Sequence, residues 1–202
     1  MLIKGLNILA RLLPDTIWRM EDEDGVFLTF DDGPTPGVTE WILATLRKYD
    51  AKATFFVLGK NVELYPDLYR KILDEGHAIG NHTYSHQKGW RMDIEHYLED
   101  IDFADDILKS NLFRPPYAQI TRAQLHAVAQ RYHVIMWDIV SRDYNPRLPR
   151  EMCAKGVIQH LRAGSIVAFH DSEKSFRNMS YALPRVLEHI YTHGLRCKKI
   201  EL

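Results

Sequence analysis

Hydrophobic and polar positions along the chain follow two alternating periods after residue 25. Short runs of β-branched and aromatic residues have the two-residue period of strands. They lie at Val26–Phe30, Ala53–Leu58, His77–Asn81, Leu112–Arg114, His133–Ile139, Ile166–His170 and Arg196–Ile200. Apolar residues three and four positions apart predict helices between them. These lie at Thr39–Lys48, Pro66–Glu75, Met92–Lys109, Arg122–Arg131, Arg150–Arg162 and Ala182–His193.

Strand and helix alternation of this kind predicts a parallel sheet covered by helices, either an open doubly wound sheet or a closed barrel. Seven strands favour a barrel that lacks one unit. Polar residues support the barrel, because they lie at or just after the carboxyl ends of predicted strands, where barrel enzymes build their active sites. These residues are Asp31, His82, Arg114, Asp143 and His170.

The first 20 residues differ in pattern from the rest of the chain. Leucines at positions 2, 6, 9 and 13 share one helical face, which predicts an amphipathic helix that docks on the domain or lies on a membrane surface. Asn7 and Arg11 interrupt the apolar run and disfavour an export signal. We expect one domain over residues 21–202 and a cytoplasmic or membrane-associated protein.

Composition and charge narrow the possible functions. A chain of 202 residues with 46% hydrophobic content fits one well-buried domain. A net charge of -1 gives no overall electrostatic field to hold nucleic acid, so we expect no nucleic-acid role. We also expect a monomer. Cys153 and Cys197 lie far apart without metal-site spacing, which argues against a disulfide framework or a cysteine zinc site.

Two polar motifs together predict a metal site. Asp31 and Asp32 follow an apolar run and precede a Gly-Pro turn, and His82 and His86 are four residues apart. Asp32 with the two histidines gives three ligands and leaves a position open, as in hydrolytic metal sites. The histidine pair alone is weak evidence in a chain with ten histidines, and an ordinary core or surface role is the alternative.

Asp31 then remains as a candidate general base, with a turn-capping role as its alternative. Arg114 precedes two prolines that stiffen the backbone, so it is either a positioned charge partner of Asp31 near an oxyanion-binding N–H or a surface ion-pair residue. His170 ends a predicted strand and is able to protonate a departing amine if Asp143 raises its pKa. A structural histidine is the alternative.

These segments, in this order, resemble the NodB-homology polysaccharide deacetylases, carbohydrate esterase family four, over about residues 26–200. The matching stretches include Thr-Phe-Asp-Asp-Gly-Pro, His-Thr-Tyr-Ser-His and the strand that ends in His-Asp. The resemblance implies a distorted, TIM-like (β/α)7 barrel. It also implies hydrolysis of the N-acetyl group of N-acetylglucosamine-type residues in a glycan, with release of acetate. The implied cofactor is Zn²⁺, or else Co²⁺, Ni²⁺ or Mn²⁺.

The resemblance also implies a role for each site residue. Asp31 becomes the general base with Arg114 as its partner, and His170 becomes the general acid tuned by Asp143. The implied metal ligands are Asp32, His82 and His86. For substrate and oxyanion contacts, the implied residues are Tyr117, through its backbone N–H, and Tyr144.

Departures from the family pattern surround the acyl pocket. Ala118 stands in place of a glycine, Val140 in place of an aspartate, Tyr144 in place of a tryptophan and Ala168 in place of a leucine. A widened pocket leaves a different acyl group or a small non-sugar amide as alternative substrates. A family member that binds glycan without turnover would lack a ligand or the base, and this chain lacks neither. The glycan remains open among peptidoglycan, chitin-like oligomers, exopolysaccharide and lipid-linked sugars.

Overall fold

A computed structural model describes residues 13–202 as alternating strands and helices. The strands are β1 Thr16–Ile17, β2 Gly25–Asp31, β3 Thr54–Val57, β4 Ala78–Asn81, β5 Leu112–Phe113, β6 His133–Ile135, β7 Ile139–Val140, β8 Ile166–His170 and β9 Arg196–Cys197. The helices are α1 Val38–Arg47, α2 Gly59–Leu64, α3 Pro66–Asp74, α4 Ile94–Leu108, α5 Arg122–Val128, α6 Arg150–Ile158 and α7 Glu173–Thr192. Single 3₁₀ turns lie at Gly89–Arg91 and Pro116–Ala118.

The strands form one curled sheet in the order β1-β6-β5-β4-β3-β2-β8-β7, with β9 beside β2. Every pair of these strands is parallel. The result is a distorted (β/α)7 barrel, which confirms the predicted fold.

The predicted strand His133–Ile139 is divided in the structure, because its two ends pair with different neighbours. β6 pairs with β5 and β1, whereas β7 pairs with β8. Between them, the N–H of Met136 donates to Ile17 O at 2.7 Å and the N–H of Asp138 donates to Ile166 O at 3.2 Å. Residues 136–138 therefore link the two ends of the curled sheet.

Three further elements differ from the sequence prediction. The last helix, α7, begins at Glu173 rather than Ala182. Helix α2 and strand β1 were not predicted, since elements of six and two residues are too short to show a period.

The sequence predicts an N-terminal helical segment over residues 1–20. Its first 12 residues lie outside the described part of the chain. Residues 13–20 form a turn and β1 rather than a helix, and Trp18 is buried against the barrel. The helix and its membrane contact stay predictions. Among helices within residues 13–202, none is both long and apolar enough to cross a membrane.

Strand β2 is buried on both faces and separates two cores. Leu28 and Phe30 pack with apolar residues of the surrounding helices, whereas Phe27 belongs to the cluster inside the barrel. Side chains alternate along a strand, so Thr29 and Asp31 share the inner side with Phe27. This alternation delivers Asp31 to the inside of the barrel at the carboxyl end of β2.

Candidate active site

Asp31 forms a buried ion pair with Arg114. The Arg114 Nη1 donates to Asp31 Oδ1 at 2.7 Å and also to Thr29 Oγ1 at 2.7 Å. Arg114 is fully buried and Asp31 is 3% exposed. A pair shielded from water in this way holds the Asp31 carboxylate in one orientation.

The Arg114 guanidinium is itself fixed by the strands around it. Its Nε donates to Ile135 O at 3.0 Å, and its Nη2 donates to Met136 O at 2.9 Å. The guanidinium carbon also lies 4.0 Å from the centre of the Phe56 ring. The hydrogen bonds to carbonyl oxygens and the face of the Phe56 ring together stabilise the buried, charged guanidinium group.

Asp32, His82 and His86 converge beside this ion pair. One ligand atom from each lies within 4.8 Å of the others. Asp32 Oδ1 is 3.1 Å from His86 Nε2 and 3.7 Å from His82 Nε2. The side chains of two adjacent aspartates thus separate, so that Asp31 pairs with an arginine and Asp32 faces two imidazoles.

The loop after β4 brings the two histidines together. Thr83 and His86 have φ of 67° and 63°, which bends the chain sharply. Asn81 Oδ1 accepts the Thr83 N–H at 2.8 Å, and Thr83 Oγ1 accepts the His86 N–H at 3.0 Å. These side-chain bonds stabilise a backbone shape that non-glycine residues rarely adopt.

The chemistry of these three side chains fits a divalent cation. His82 Nδ1 lies 2.7 Å from the carbonyl oxygen of Arg114, which assigns the proton to Nδ1 and leaves Nε2 as a lone-pair donor. Burial lowers the pKa of His82 to about 4, so the ring is neutral. Burial opposes ionisation of Asp32, yet the hydrogen bond from His86 and the charge of His170 hold the pKa of Asp32 well below the usual range.

His170 and Asp143 form a second polar pair at the end of β8. His170 Nδ1 lies 2.8 Å from Asp143 Oδ1, and the His170 backbone N–H donates to Asp143 Oδ2 at 2.8 Å. Burial acts to lower the pKa of His170, but the charge and hydrogen bond of Asp143, with Asp31 and Asp32, raise it to about 9. The ring is therefore an imidazolium at neutral pH, with Nε2–H as its other donor.

Asp171 ties the turn after β2 to the end of β8. Its backbone N–H donates to Asp31 O at 2.7 Å, and its Oδ2 accepts from Thr39 Oγ1 at 2.7 Å. A Cβ at Gly33 would lie 2.1 Å from Asp171 Oδ2, so only glycine fits there. The turn that carries Asp31 and Asp32 is thereby packed on a buried carboxyl group.

A cavity of about 610 Å³ opens over the candidate base, the candidate acid and the three candidate ligands. Tyr117 and Tyr144 form part of its wall, together with Val140 and Ala168. Ala118 does not line the cavity, although its φ of 55° is a conformation that favours glycine. Arg114 and Asp143 lie behind Asp31 and His170, so they act on any bound molecule through those residues.

The polysaccharide deacetylase family model matches residues 19–135, more than half of the chain. The chain belongs to this family. The family is metal-dependent, and Asp32, His82 and His86 form the candidate metal site.

Two curated relatives of this polysaccharide deacetylase family member act on peptidoglycan by name. The peptidoglycan-N-acetylglucosamine deacetylase of Bacillus cereus is 33% identical over 179 residues, which are 85% of this chain and 65% of that protein. The peptidoglycan-N-acetylmuramic acid deacetylase PdaC of Bacillus subtilis is 32% identical over 178 residues, 84% of this chain and 36% of that protein. The chain thus spans less than two thirds of either relative's length.

A solved structure gives the same family. The crystal structure of a peptidoglycan N-acetylglucosamine deacetylase in complex with an N-hydroxybenzamide compound has a TM-score of 0.86 to this chain at 29% identity. The match covers 92% of this chain and 90% of that one.

Sequence reasoning missed several residues of the site in this family member. Thr29 shares Arg114 with Asp31, and the two-residue period of β2 was a usable signal for it. Gln119, Ser172 and Lys174 line the cavity without belonging to any motif that we recognised. No pattern in the sequence marks these three residues. Trp137 also lines the cavity and begins a segment, Trp137–Tyr144, that the sequence does mark.

Proposed function

We propose that this chain is a metal-dependent deacetylase that hydrolyses the N-acetyl group of N-acetylglucosamine-type residues in a glycan and releases acetate. The observation that carries the proposal is the separation of the two adjacent aspartates. Asp31 is held by Arg114 as a candidate base, while Asp32 joins His82 and His86 as a candidate ligand set. The names of the relatives, which include a chitooligosaccharide deacetylase of Azorhizobium caulinodans, support an N-acetylated glycan as substrate.

Asp32, His82 and His86 would hold the cation, and their nitrogen and oxygen donors suit Zn²⁺, with Co²⁺, Ni²⁺ and Mn²⁺ as alternatives. Bound there, a divalent cation supplies Lewis acidity to the amide carbonyl and to the attacking water.

Asp31 acts as the general base. Its Oδ1 is engaged by Arg114, so the other carboxylate oxygen takes a proton from the water as the water oxygen bonds to the acetyl carbon. Arg114 keeps the carboxylate oriented. The backbone N–H of Tyr117, whose φ is 57°, donates to the oxygen on which negative charge develops.

His170 acts as the general acid. Its Nε2–H donates a proton to the amide nitrogen as the carbon–nitrogen bond breaks, which yields acetate and a free amine on the sugar. Asp143 accepts from Nδ1 and keeps the ring protonated until that step.

The second candidate function is hydrolysis of a different acyl group, and the residues of the cavity wall support it. Ala168, a small residue that is 1% exposed, lines the cavity and pairs with Val140 across β7 and β8. If the acyl pocket is wide, N-propionyl substrates are hydrolysed faster than N-acetyl ones. Turnover of N-acetyl substrates at least as fast as that of N-propionyl analogues would exclude this.

The test of the proposed function is acetate release from N-acetylglucosamine oligomers by chelator-stripped and zinc- or cobalt-restored protein. We expect release only after metal is restored. Release that does not depend on metal would contradict the proposed mechanism. Activity confined to small amides without a sugar would favour the non-sugar alternative.

A further inference from the structure

Two histidines line the cavity on different sides, His86 of the candidate ligand set and His170, the candidate acid. Each of these histidines lies beside a tyrosine, and each tyrosine lies beside a lysine. The His86 and Tyr117 ring centres are 4.6 Å apart, and Lys88 Nζ lies 4.9 Å from the Tyr117 ring centre. On the other side, the His170 and Tyr144 ring centres are 5.0 Å apart, and Lys174 Nζ lies 5.4 Å from the Tyr144 ring centre.

Both tyrosines line the cavity and reach its rim. Tyr117 is 55% exposed and Tyr144 is 37% exposed, so their outer parts face solvent while their inner parts face the site. A lysine that lies on such a ring holds its ammonium group next to the cavity opening. Lys174 itself is exposed and also lines the cavity.

The two ammonium groups are not neutralised by the residues around them. Among residues 13–202, no carboxylate lies within salt-bridge distance of Lys88 or Lys174. The two carboxylates on the cavity floor have cationic or histidine partners of their own, Arg114 for Asp31 and the imidazoles for Asp32. Two ammonium groups without a carboxylate partner among residues 13–202 thus lie beside the rings of Tyr117 and Tyr144. Lys174 also lines the cavity, whereas Lys88 is half-buried and reaches the rim through its contact with Tyr117.

We propose that Lys88 and Lys174 select glycans that carry a carboxylate on a sugar next to the N-acetylated one. This inference rests on the proposed function and names the charge class of its substrate. The acetamide lies over the candidate base and ligands, and the neighbouring sugar lies against Tyr117 or Tyr144. A carboxylate on that sugar then meets an ammonium group at the rim. Two kinds of glycan offer this chemistry, namely those with lactyl ether groups and those with uronic acids.

The experiment compares each acidic oligosaccharide with the same molecule after methyl esterification, which removes the charge and keeps the sugar. One arm uses N-acetylglucosamine oligomers with alternating lactyl ether groups, and the other uses oligomers with alternating uronic acids. The metal-restored protein is assayed for kcat/KM on both forms. We expect the acidic form to be favoured over its ester, and this ratio to fall as salt rises, because exposed charges are screened.

Lys88→Gln and Lys174→Gln should each lower the acid-to-ester ratio by about 1.5- to 5-fold, as expected for exposed charge pairs. The double variant should lower it by about 3- to 20-fold. Lys48→Gln is the matched control, because Lys48 is an exposed lysine at the far end of α1. It should leave the ratio unchanged. If the acidic form is preferred in only one of the two arms, that arm identifies the source of the carboxylate.

An acid-to-ester ratio that the double variant leaves unchanged would overturn this proposal while the deacetylase activity stands. If no glycan releases acetate, the proposed function fails instead. Binding of the same pairs of oligosaccharides, measured by calorimetry, then still decides the charge proposal. Tighter binding of the acidic form that is lost in the double variant supports it, and equal binding of the two forms refutes it.

Discussion

The carbonyl oxygen of Arg114 lies 2.7 Å from Nδ1 of His82, while the guanidinium of Arg114 donates to Asp31. One residue therefore orients a candidate metal ligand through its main chain and the candidate base through its side chain. Strand β5 lies between β4 and β6. Arg114, the first residue after β5, therefore contacts residues at the ends of both neighbouring strands. The orientations of the base and of this ligand are therefore coupled through a single residue.

Arg114→Gln should remove activity and stability together. It leaves the Asp31 carboxylate buried without a counter-charge, which costs about 3–5 kcal/mol in the free energy of unfolding. Urea denaturation measures this loss, and we expect acetate release to fall at least about 100-fold. Arg150→Gln is the control, since Arg150 forms an exposed pair with Glu151 and should change stability by less than about 1 kcal/mol. Equal effects of the two substitutions would contradict the importance of the buried pair.

His82→Ala, His86→Ala and Asp32→Asn should each weaken zinc binding. Each removes one of three ligands, so we expect a loss of affinity of at least about 100-fold in competition with a chelator. His96→Ala provides a control, because His96 is exposed and pairs with Asp93 on the surface. One equivalent of tightly bound zinc that survives loss of His82 would place the metal elsewhere.

Activity should fall as pH rises through about 9, because His170 loses the proton that the amine needs. Asp143→Asn removes the charge and the acceptor that raise this pKa. The alkaline limb of the kcat/KM profile should therefore move to lower pH by about one unit or more. Asp93→Asn, next to the exposed His96, should leave the profile in place. An alkaline limb that Asp143→Asn does not move would assign it to another group.

Asp171 should make the protein less stable at alkaline pH. Burial, with the charges of Asp32 and Glu40, raises the pKa of Asp171 to about 8 against the opposing hydrogen bond from Thr39. The unfolded chain loses this proton near pH 4, so the folded state binds more protons between about pH 4 and 8 and its stability falls as pH rises through that range.

Asp171→Asn removes this dependence, because an amide imitates the neutral acid. The drop in Tm between pH 5 and pH 8.5 should be smaller in the variant, with each 1 kcal/mol worth about 2–4 °C. Asp67→Asn alters an exposed carboxylate at the start of α3 and should reproduce the wild-type drop. The same drop in all three proteins would mean that Asp171 is ionised in the folded state.

The features that the sequence predicted best are those that depend on the hydrophobic periods of strands and helices. Strand and helix alternation gave the parallel barrel, and parallel strands carry the residues at their carboxyl ends to one edge. Asp31, His82, Arg114 and His170 therefore had to lie near one another. The split of the predicted strand His133–Ile139 depends on which strands its two ends meet, and a period does not contain that information.

The fine geometry of the site was beyond prediction for the same reason. The approach of His86 to His82 depends on left-handed backbone at Thr83, a residue type without a strong preference for it. Lys174 lines the cavity because α7 begins only two residues after the end of β8, nine residues before the predicted helix start. Local loop conformation, rather than pattern, decided these positions.

The account depends most directly on Asp31 as a base distinct from the metal ligands. Acetate release by zinc-restored Asp31→Asn, with bound zinc measured in the same sample, tests this claim. We expect activity to fall at least about 100-fold while one equivalent of zinc remains bound, because the amide keeps its place but accepts no proton. Activity within a few-fold of the wild type, or loss of the zinc itself, would contradict the account.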